Sequence, residues 1–316
     1  MEYKKLGITG LKVSPLGFGC WAMGGHGYGK TDDTESILTV REAIDKGINF
    51  FDTSNVYGFG HSEKVLGEAL KGRSKDVIIA TKFGVNWDSK GKTYKDCSPD
   101  TIVHSLHDSL RRLKVDCIPL YQIHWYDGKT PFCDIMETLE KCKVSGKIGH
   151  VGCTNFSFDL VKRASSKGRV ESLQVNYNIL QCSNHEDIVQ CRNKLNMGII
   201  AYSVLERGLL SGKFHLASKF GKNDTRSREE NFIGKKFKEN LKIVDKLKEI
   251  GERYGRSPSQ VSIRWVLDDP MITCAIIGVK NRTQLVDNMG ALDYKLCDED
   301  LKYMNGLADG SNTLIS

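Results

Sequence analysis

The chain has 316 residues, 40% of them hydrophobic, and a formal net charge of +7. That is enough apolar material for a full core, and the modest basic excess suits an ordinary surface or a small anionic ligand, with no nucleic-acid partner expected. No apolar run approaches the roughly 20 residues needed to cross a bilayer, and the first residues, MEYKKLG, lack an apolar signal region.

The ten cysteines are scattered, without a Cys-x-x-Cys or a zinc-like spacing to histidine. Cys117, Cys153 and Cys274 lie in apolar runs, where a free thiol behaves as a small hydrophobe. The expectation is a reduced, cytoplasmic protein without metal or membrane partner. Self-association is left open.

Residues 2–16 read as a hairpin, Tyr3–Leu6 and Leu11–Val13 around a turn at Ile8-Thr9-Gly10, placed to plug the N-terminal end of a barrel. Eight short apolar runs then recur: Leu16–Cys20, Asn49–Thr53, Val77–Thr81, Cys117–His124, Ile148–Cys153, Ser172–Tyr177, Gly198–Ser203 and Cys274–Gly278. Helical stretches separate them, at Thr34–Lys46, Glu63–Lys71, Asp100–Leu113, Phe132–Val144, Ser157–Ser166, His185–Leu195, Lys236–Tyr254, Ser259–Asp268 and Arg282–Met289. Leu296–Ala308 reads as a further C-terminal helix. Ser98 and Pro99 suit a helix start. Gly47, Gly72, Gly146, Gly168 and Gly198 stand where helices end.

Strands alternating with helices pair in parallel, and eight such units close a barrel. The predicted fold is a single α/β domain over residues 1–316: a (β/α)8 TIM barrel with an N-terminal hairpin and an extra C-terminal helix. The connection from Glu206 to Lys235 exceeds the usual length and is rich in cations, which suggests a lid.

Active sites of such barrels lie at the C-terminal strand ends. Asp52 closes the second run, Lys82 follows the third and His124 ends the fourth, while Tyr57 lies in the loop after the second. A phenol becomes a usable acid when a cation stabilises its phenolate. Lys82 is placed to be that cation, Asp52 to pair with Lys82, and His124 to bind a substrate oxygen. His104 and His107, three apart on a helix, lack a third metal ligand and read as surface residues.

The stretches FDTSNVYG (Phe51–Gly58), IIATKFG (Ile78–Gly84), LYQIHW (Leu120–Trp125), VGCTNF (Val151–Phe156) and AYSVLERGLLSGK (Ala201–Lys213) resemble the aldo-keto reductase superfamily over nearly the whole chain. DTRSREENFIGKKFKEN (Asp224–Asn240) is similar to the bacterial branch that includes the inositol-operon reductase, related to potassium-channel β subunits. The resemblance implies a catalytic tetrad of Asp52, Tyr57, Lys82 and His124, and an NADPH-dependent reduction of an aldehyde, ketone or keto-sugar. The alternative it offers is an NADP-binding redox sensor or regulatory subunit with little turnover.

No Gly-x-Gly-x-x-Gly fingerprint is present. The resemblance instead implies NADP(H) across the barrel mouth. Thr154, Asn155 and Gln174 would hold the carboxamide, Tyr202 would stack on the nicotinamide, and Ser203, Leu205, Gly208, Ser211, Lys213 and Arg226 would line the phosphate side. Gly278, Lys280, Arg282, Gln284 and Asn288 would form the adenosine end. A helix starting near Arg282 would add unpaired amides and a positive dipole end. Two positions depart from the family pattern: Val204 replaces a proline, and Glu206 a small uncharged residue. Expected substrate walls are Trp21, Phe83, Trp87 and Trp125, with Tyr126 beside them and polar contacts from His26, His61, Asp127 and Lys129.

Overall fold

The structure is a computed structural model that describes residues 1–25, 31–222 and 224–309. Its centre is a closed barrel of eight parallel strands: β3 (Leu16–Gly19), β4 (Phe50–Asp52), β5 (Ile78–Phe83), β8 (Ile118–Ile123), β9 (Ile148–Thr154), β10 (Ser172–Asn176), β11 (Gly198–Tyr202) and β12 (Cys274–Gly278). The ring closes where β12 pairs with β3, Ala275 opposite Leu16 and Gly278 opposite Gly19. All eight expected runs form strands, most within one or two residues of the expected bounds.

The helices around the barrel are α1 (Asp33–Asp45), α2 (His61–Ala69), α3 (Pro99–Leu113), α4 (Phe132–Val144), α5 (Phe158–Ser165), α6 (His185–Leu195), α7 (Gly234–Tyr254), α8 (Pro258–Asp268) and α9 (Arg282–Met289), followed by α10 (Asp298–Ala308). Local chemistry sets their ends. Asp32 caps α1 by accepting from Thr34 and Glu35 amides, and Ser257 with Gln260 forms a full capping box on α8. Gly47, Gly72 and Gly146 do follow their helices with positive φ. Gly168 and Gly198 do not, and Asn196 at φ 52° ends α6 instead.

Gly198 has a different reason to be glycine. A Cβ there would lie 2.4 Å from Leu6 Cδ1. Leu6 belongs to the N-terminal hairpin, β1 (Lys4–Lys5) against β2 (Lys12–Val13). Leu6 and Val13 are fully buried and pack with Phe50, Ala80, Leu120, Ile200, Cys274 and Ile276 in one inner cluster. The hairpin therefore closes the bottom of the barrel, as expected from the sequence.

Period-two alternation sorts the rest. Along β5, Ala80 belongs to the inner cluster, and Lys82, two residues on, stands in the same orientation at the mouth. Ile79 and Phe83 fall in the outer cluster beneath the helices. Above the apolar inner layer, Asp52, Lys82, Gln122 and Gln174 form a hydrogen-bonded polar layer. A second hairpin, β6 (Val85–Trp87) against β7 (Thr93–Lys95), follows β5 directly and was not expected.

Leu6→Ala removes a buried plug without touching the mouth. It should lower the unfolding free energy by about 2–5 kcal/mol while leaving ligand binding at the mouth intact. Chemical denaturation monitored by circular dichroism would read the loss, and an unchanged midpoint would show that the hairpin is not part of the cooperative core.

Candidate active site

The four expected proton-handling residues do meet. Lys82 has no solvent exposure, and its Nζ donates to Asp52 Oδ2 at 2.6 Å, the Thr53 carbonyl at 3.0 Å and Tyr57 Oη at 3.3 Å. Three donors thus find three acceptors. Because Tyr57 Oη accepts from Lys82, its own hydrogen is left for another partner on the cleft side. Asp52 is held in turn: Oδ1 accepts from Gln174 Nε2 at 2.7 Å and Gln122 Nε2 at 3.3 Å. Gln122 was not singled out in the sequence. Its place directly beside Lys82 in the β5–β8 register carries it to the same layer.

The loop bearing Tyr57 is pinned by close backbone approach. A Cβ on Gly58, at φ 60°, would lie 2.1 Å from the Gly24 carbonyl oxygen. The Trp21 ring stacks on Tyr57 at 5.9 Å, and the His124 ring meets Tyr57 edge-on at 5.9 Å. Burial holds the Tyr57 phenol well above its ordinary pKa, and the Asp52 carboxylate adds to this. The expectation that Lys82 draws the phenol toward neutrality therefore fails in this structure: Asp52, in direct contact with the ammonium, offsets its charge. Burial also pushes His124 well below its usual value, with Lys82 as the second cause. The imidazole is neutral near pH 7.

These groups open onto a cleft of about 1590 Å³ at the mouth. That exceeds the usual volume of a site for one small molecule, leaving room for a large cofactor beside a substrate. Of the fifteen residues expected to contact cofactor, fourteen line it: Thr154, Asn155, Gln174, Tyr202, Ser203, Leu205, Gly208, Ser211, Lys213, Arg226, Gly278, Lys280, Gln284 and Asn288. Several are engaged with one another. Thr154 Oγ1 donates to the His124 carbonyl at 2.6 Å, Tyr202 Oη donates to Asn155 Oδ1 at 2.6 Å, and the Gln174 amide nitrogen is spent on Asp52.

Arg282 lies outside the cleft lining. Its amide and guanidinium both bond the Glu35 carboxylate of α1. The start of α9 is likewise taken: Asn281 Oδ1 accepts from the Gln284 amide at 3.0 Å, and Gln284 Oε1 from the Lys280 amide at 3.0 Å. The expected free helix end is already capped, because side chains compete for these amides. Positive charge in the cleft comes instead from Lys213, Lys280 and Arg226. Burial lowers the pKa of both lysines, and Arg226 lowers them further, so the three cations feel one another. Arg226 is clamped by Asp224 and packed against the Phe214 and Phe220 rings at 5.2 and 5.1 Å.

The Glu206–Lys235 connection is folded on its own aromatic core, with Leu209, Phe232 and Phe237 buried and Phe214 and Phe220 against them. Glu206 is buried, and its Oε2 accepts from Asn178 Nδ2 at 3.0 Å. Of the cations in the same connection, Arg207 pairs with Glu229 and Arg226 with Asp224.

Of the residues expected as substrate walls, only some reach the cleft. Trp21 and Trp125 line the cleft. Phe83 is fully buried against Tyr121, because its neighbour Lys82 points inward and it must point out. Trp87 packs behind Phe59, and Tyr126 on Phe132. Among the polar candidates, His61 pairs with Asp33 at 2.9 Å. Asp127 folds its own loop: burial would raise its pKa, but hydrogen bonds from Thr130, Cys97 and Lys129 outweigh this and hold it at about 2. Lys129 follows that loop, and His26 lies outside the described residues. Phe59, Val85 and Thr93, from the loop after β4 and the unexpected hairpin, take up the wall. Away from the mouth, His104 sits 3.9 Å from Asp108 and His107 3.1 Å from Lys147. Among the described residues no group of three His, Cys, Asp or Glu could hold a metal, and no helix is long and apolar enough to cross a membrane.

A parallel barrel whose mouth joins a lysine-supported phenol to a long, cation-lined cleft defines an oxidoreductase of the nicotinamide-dependent barrel type. Residues 15–309 match the model of the Aldo/keto reductase family, and the chain belongs to it. Members of that family are NAD(P)-dependent oxidoreductases acting on carbonyl and alcohol groups. The chain is 33% identical to aldo-keto reductase YhdN of Bacillus subtilis, covering 98% of this chain and 95% of that one. It is 33% identical to the NADP(+)-designated aldo-keto reductase yakc of Schizosaccharomyces pombe, covering 96% and 90%. In structure it resembles the glycerol dehydrogenase AKR11B4 of Gluconobacter oxydans, with a TM-score of 0.90, 33% identity and coverage of 100% and 97%.

The depressed His124 pKa couples stability to pH. The unfolded chain takes up a proton near pH 6.5, while the folded site resists it, so this residue removes stability as pH falls below that value. In a histidine NMR titration, His124 should keep its neutral shifts at pH 6. A His124 midpoint at or above 6.5 would contradict the burial argument.

Proposed function

We propose that this protein reduces a small carbonyl compound, an aldehyde, ketone or keto-sugar, to an alcohol with NADPH, and that Tyr57 is the general acid. The observation that carries this reading is the bond from Lys82 Nζ to Tyr57 Oη. A raised phenol pKa keeps the proton on Tyr57 at neutral pH, which is the form an acid needs. As the proton leaves, the Lys82 bond becomes a charge-assisted one to phenolate and strengthens. Catalysis depends on such a gain between ground and transition state.

The donor set fits a phosphorylated dinucleotide. Lys213, Arg226 and Lys280 would take the 2′-phosphate, the Tyr202 ring would face the nicotinamide, and the Gln174 carbonyl oxygen would meet the carboxamide. The cofactor, when bound, supplies hydride to the carbonyl carbon. Trp21, Phe59 and Trp125 would hold the substrate body and keep water from the reacting oxygen, which lies between Tyr57 and His124. The glycerol dehydrogenase likeness supports a polyhydroxylated substrate among those possible for such a wall.

Tyr57→Phe keeps the ring and removes the donor. It should cut turnover by about 10²–10⁴-fold with NADPH affinity nearly unchanged, as read by fluorescence titration and a panel of aldehydes, diketones and keto-sugars. A variant keeping more than about half the activity would sink the assignment. Tight NADPH binding without turnover on any compound by the wild type would favour the sensor alternative.

Lys280→Ala and Arg226→Ala should each raise the NADPH Michaelis constant several-fold and leave NADH nearly unchanged, since only the former carries the extra phosphate. Equal weakening for both cofactors would place the 2′-phosphate elsewhere.

A further inference from the structure

One buried carboxylate at the mouth is joined to no cation among the described residues. Asp52 is answered by Lys82 and two glutamine amides, and Glu229 and Asp224 are joined to Arg207 and Arg226. Glu206 has no such partner. It is 6% exposed, and its Oε2 accepts from Asn178 Nδ2 at 3.0 Å. Its Oε1 takes no hydrogen bond from any described residue, while Glu206 lines the cleft. A buried carboxylate with only a neutral amide beside it is costly. The backbone adds to that cost, because Glu206 holds φ at 41°, where a residue with a side chain is uncommon. The family pattern has a small uncharged residue here, so closing this turn does not need the charge.

Where the charge acts follows from Asn178. That amide is fixed in orientation, since its Oδ1 accepts from the Leu180 amide at 2.8 Å and its Nδ2 also donates to the Ser203 carbonyl at 3.0 Å. The Glu206 side chain is therefore folded back toward the loop after β10 and toward the residue that follows Tyr202. Its field is felt there. Burial lifts the Tyr202 phenol to about 12, and Glu206 adds to this while Lys82 and Arg207 oppose it. At the phosphate end the carboxylate acting on Lys213 and Lys280 is Asp224.

We infer that Glu206 is the counter-charge for the oxidised nicotinamide ring, and that it favours the cationic form of the cofactor over the neutral one. This rests on the reading that the ring lies against Tyr202. The cofactor, when bound, gives hydride to the carbonyl carbon and passes from a neutral dihydropyridine to a cationic pyridinium, while the carbonyl oxygen takes the Tyr57 proton. Glu206 attracts that cation across a mostly buried space, where a fixed charge acts strongly and needs no rearrangement. Its attraction grows as positive charge develops on the ring, so it stabilises the transition state more than the complex that precedes it.

Equilibrium binding tests this without turnover. Titrating the protein with NADPH and with NADP⁺, no carbonyl compound being present, gives a Kd for each. Glu206→Gln keeps an oxygen for Asn178 and removes the charge. In that variant the ratio of the NADP⁺ Kd to the NADPH Kd should rise about 5- to 50-fold over wild type. The ratio for NAD⁺ and NADH should rise by the same factor, since the effect lies at the ring and away from the 2′-phosphate. Glu206→Ser, which brings in a small uncharged side chain, should do the same and covers the case in which glutamine disturbs the turn. A ratio unchanged or lowered in either variant that folds overturns the inference and leaves the reductase reading standing. An equal shift in both cofactor forms is such a result, and would mark Glu206 as a charge acting on the phosphates or as part of the turn alone. Neither form binding to the wild type fails the nicotinamide reading and takes the counter-charge with it.

Discussion

An ammonium with no water around it must be answered by a negative charge and by acceptors for every hydrogen, and the barrel mouth is arranged to answer Lys82. Removing one partner of such a buried pair typically costs 3–5 kcal/mol, so Asp52 and Lys82 are tied to each other. Asp52 has four lone-pair directions to fill. Lys82 from β5, Gln122 from β8 and Gln174 from β10 reach it, while Asp52 itself belongs to β4. One carboxylate thereby ties together four of the eight strands across the barrel interior. The third Lys82 hydrogen goes to Tyr57, so the phenol is positioned by the same demand for electrostatic closure that holds the mouth together.

The walls above this layer follow from how each loop closes on its neighbours. The Tyr57 loop sits against the turn at Gly24 because neither backbone carries a side chain at the contact. Trp21 lies on Tyr57 for the same reason of proximity, and the Arg207 guanidinium stands over Trp21 at 5.7 Å. Arg207 is joined to Glu229, so the long connection after β11 is fastened to the turn after β3 across the cleft. That connection brings Arg226 into the cation cluster on a base of stacked phenylalanines. A loop of this length holds its shape only because it buries its own small core.

Chemistry at the mouth depends on pKa values set by burial more than by individual charges. Tyr57 and His124 both stay neutral near pH 7, for the same physical cause acting on an acid and a base. A neutral phenol can give a proton, and a neutral imidazole offers one N–H donor and one bare acceptor nitrogen. His124 Nδ1 lies against the buried Ser54 hydroxyl at 3.2 Å, so the other ring nitrogen is the one left toward the cleft.

The sequence by itself determined the barrel, the hairpin plug and the tetrad, since these rest on patterns that are local along the chain. Alternating apolar runs place strands, and a polar residue closing such a run stands at the mouth whatever its neighbours are. Phe83, Trp87 and Arg282 show the limit. Residue type suggested a role for each, but Phe83 is turned outward by its place next to Lys82, Trp87 packs against Phe59 and outside the cleft lining, and Arg282 is claimed by Glu35, 247 residues away. The two amide partners of Asp52 were hidden for the same reason, because Gln122 and Gln174 meet it only when the sheet closes. Hydrogen-bond partners and competing ion pairs are made between segments distant in sequence, so only the closed barrel decided which candidate groups were free to act.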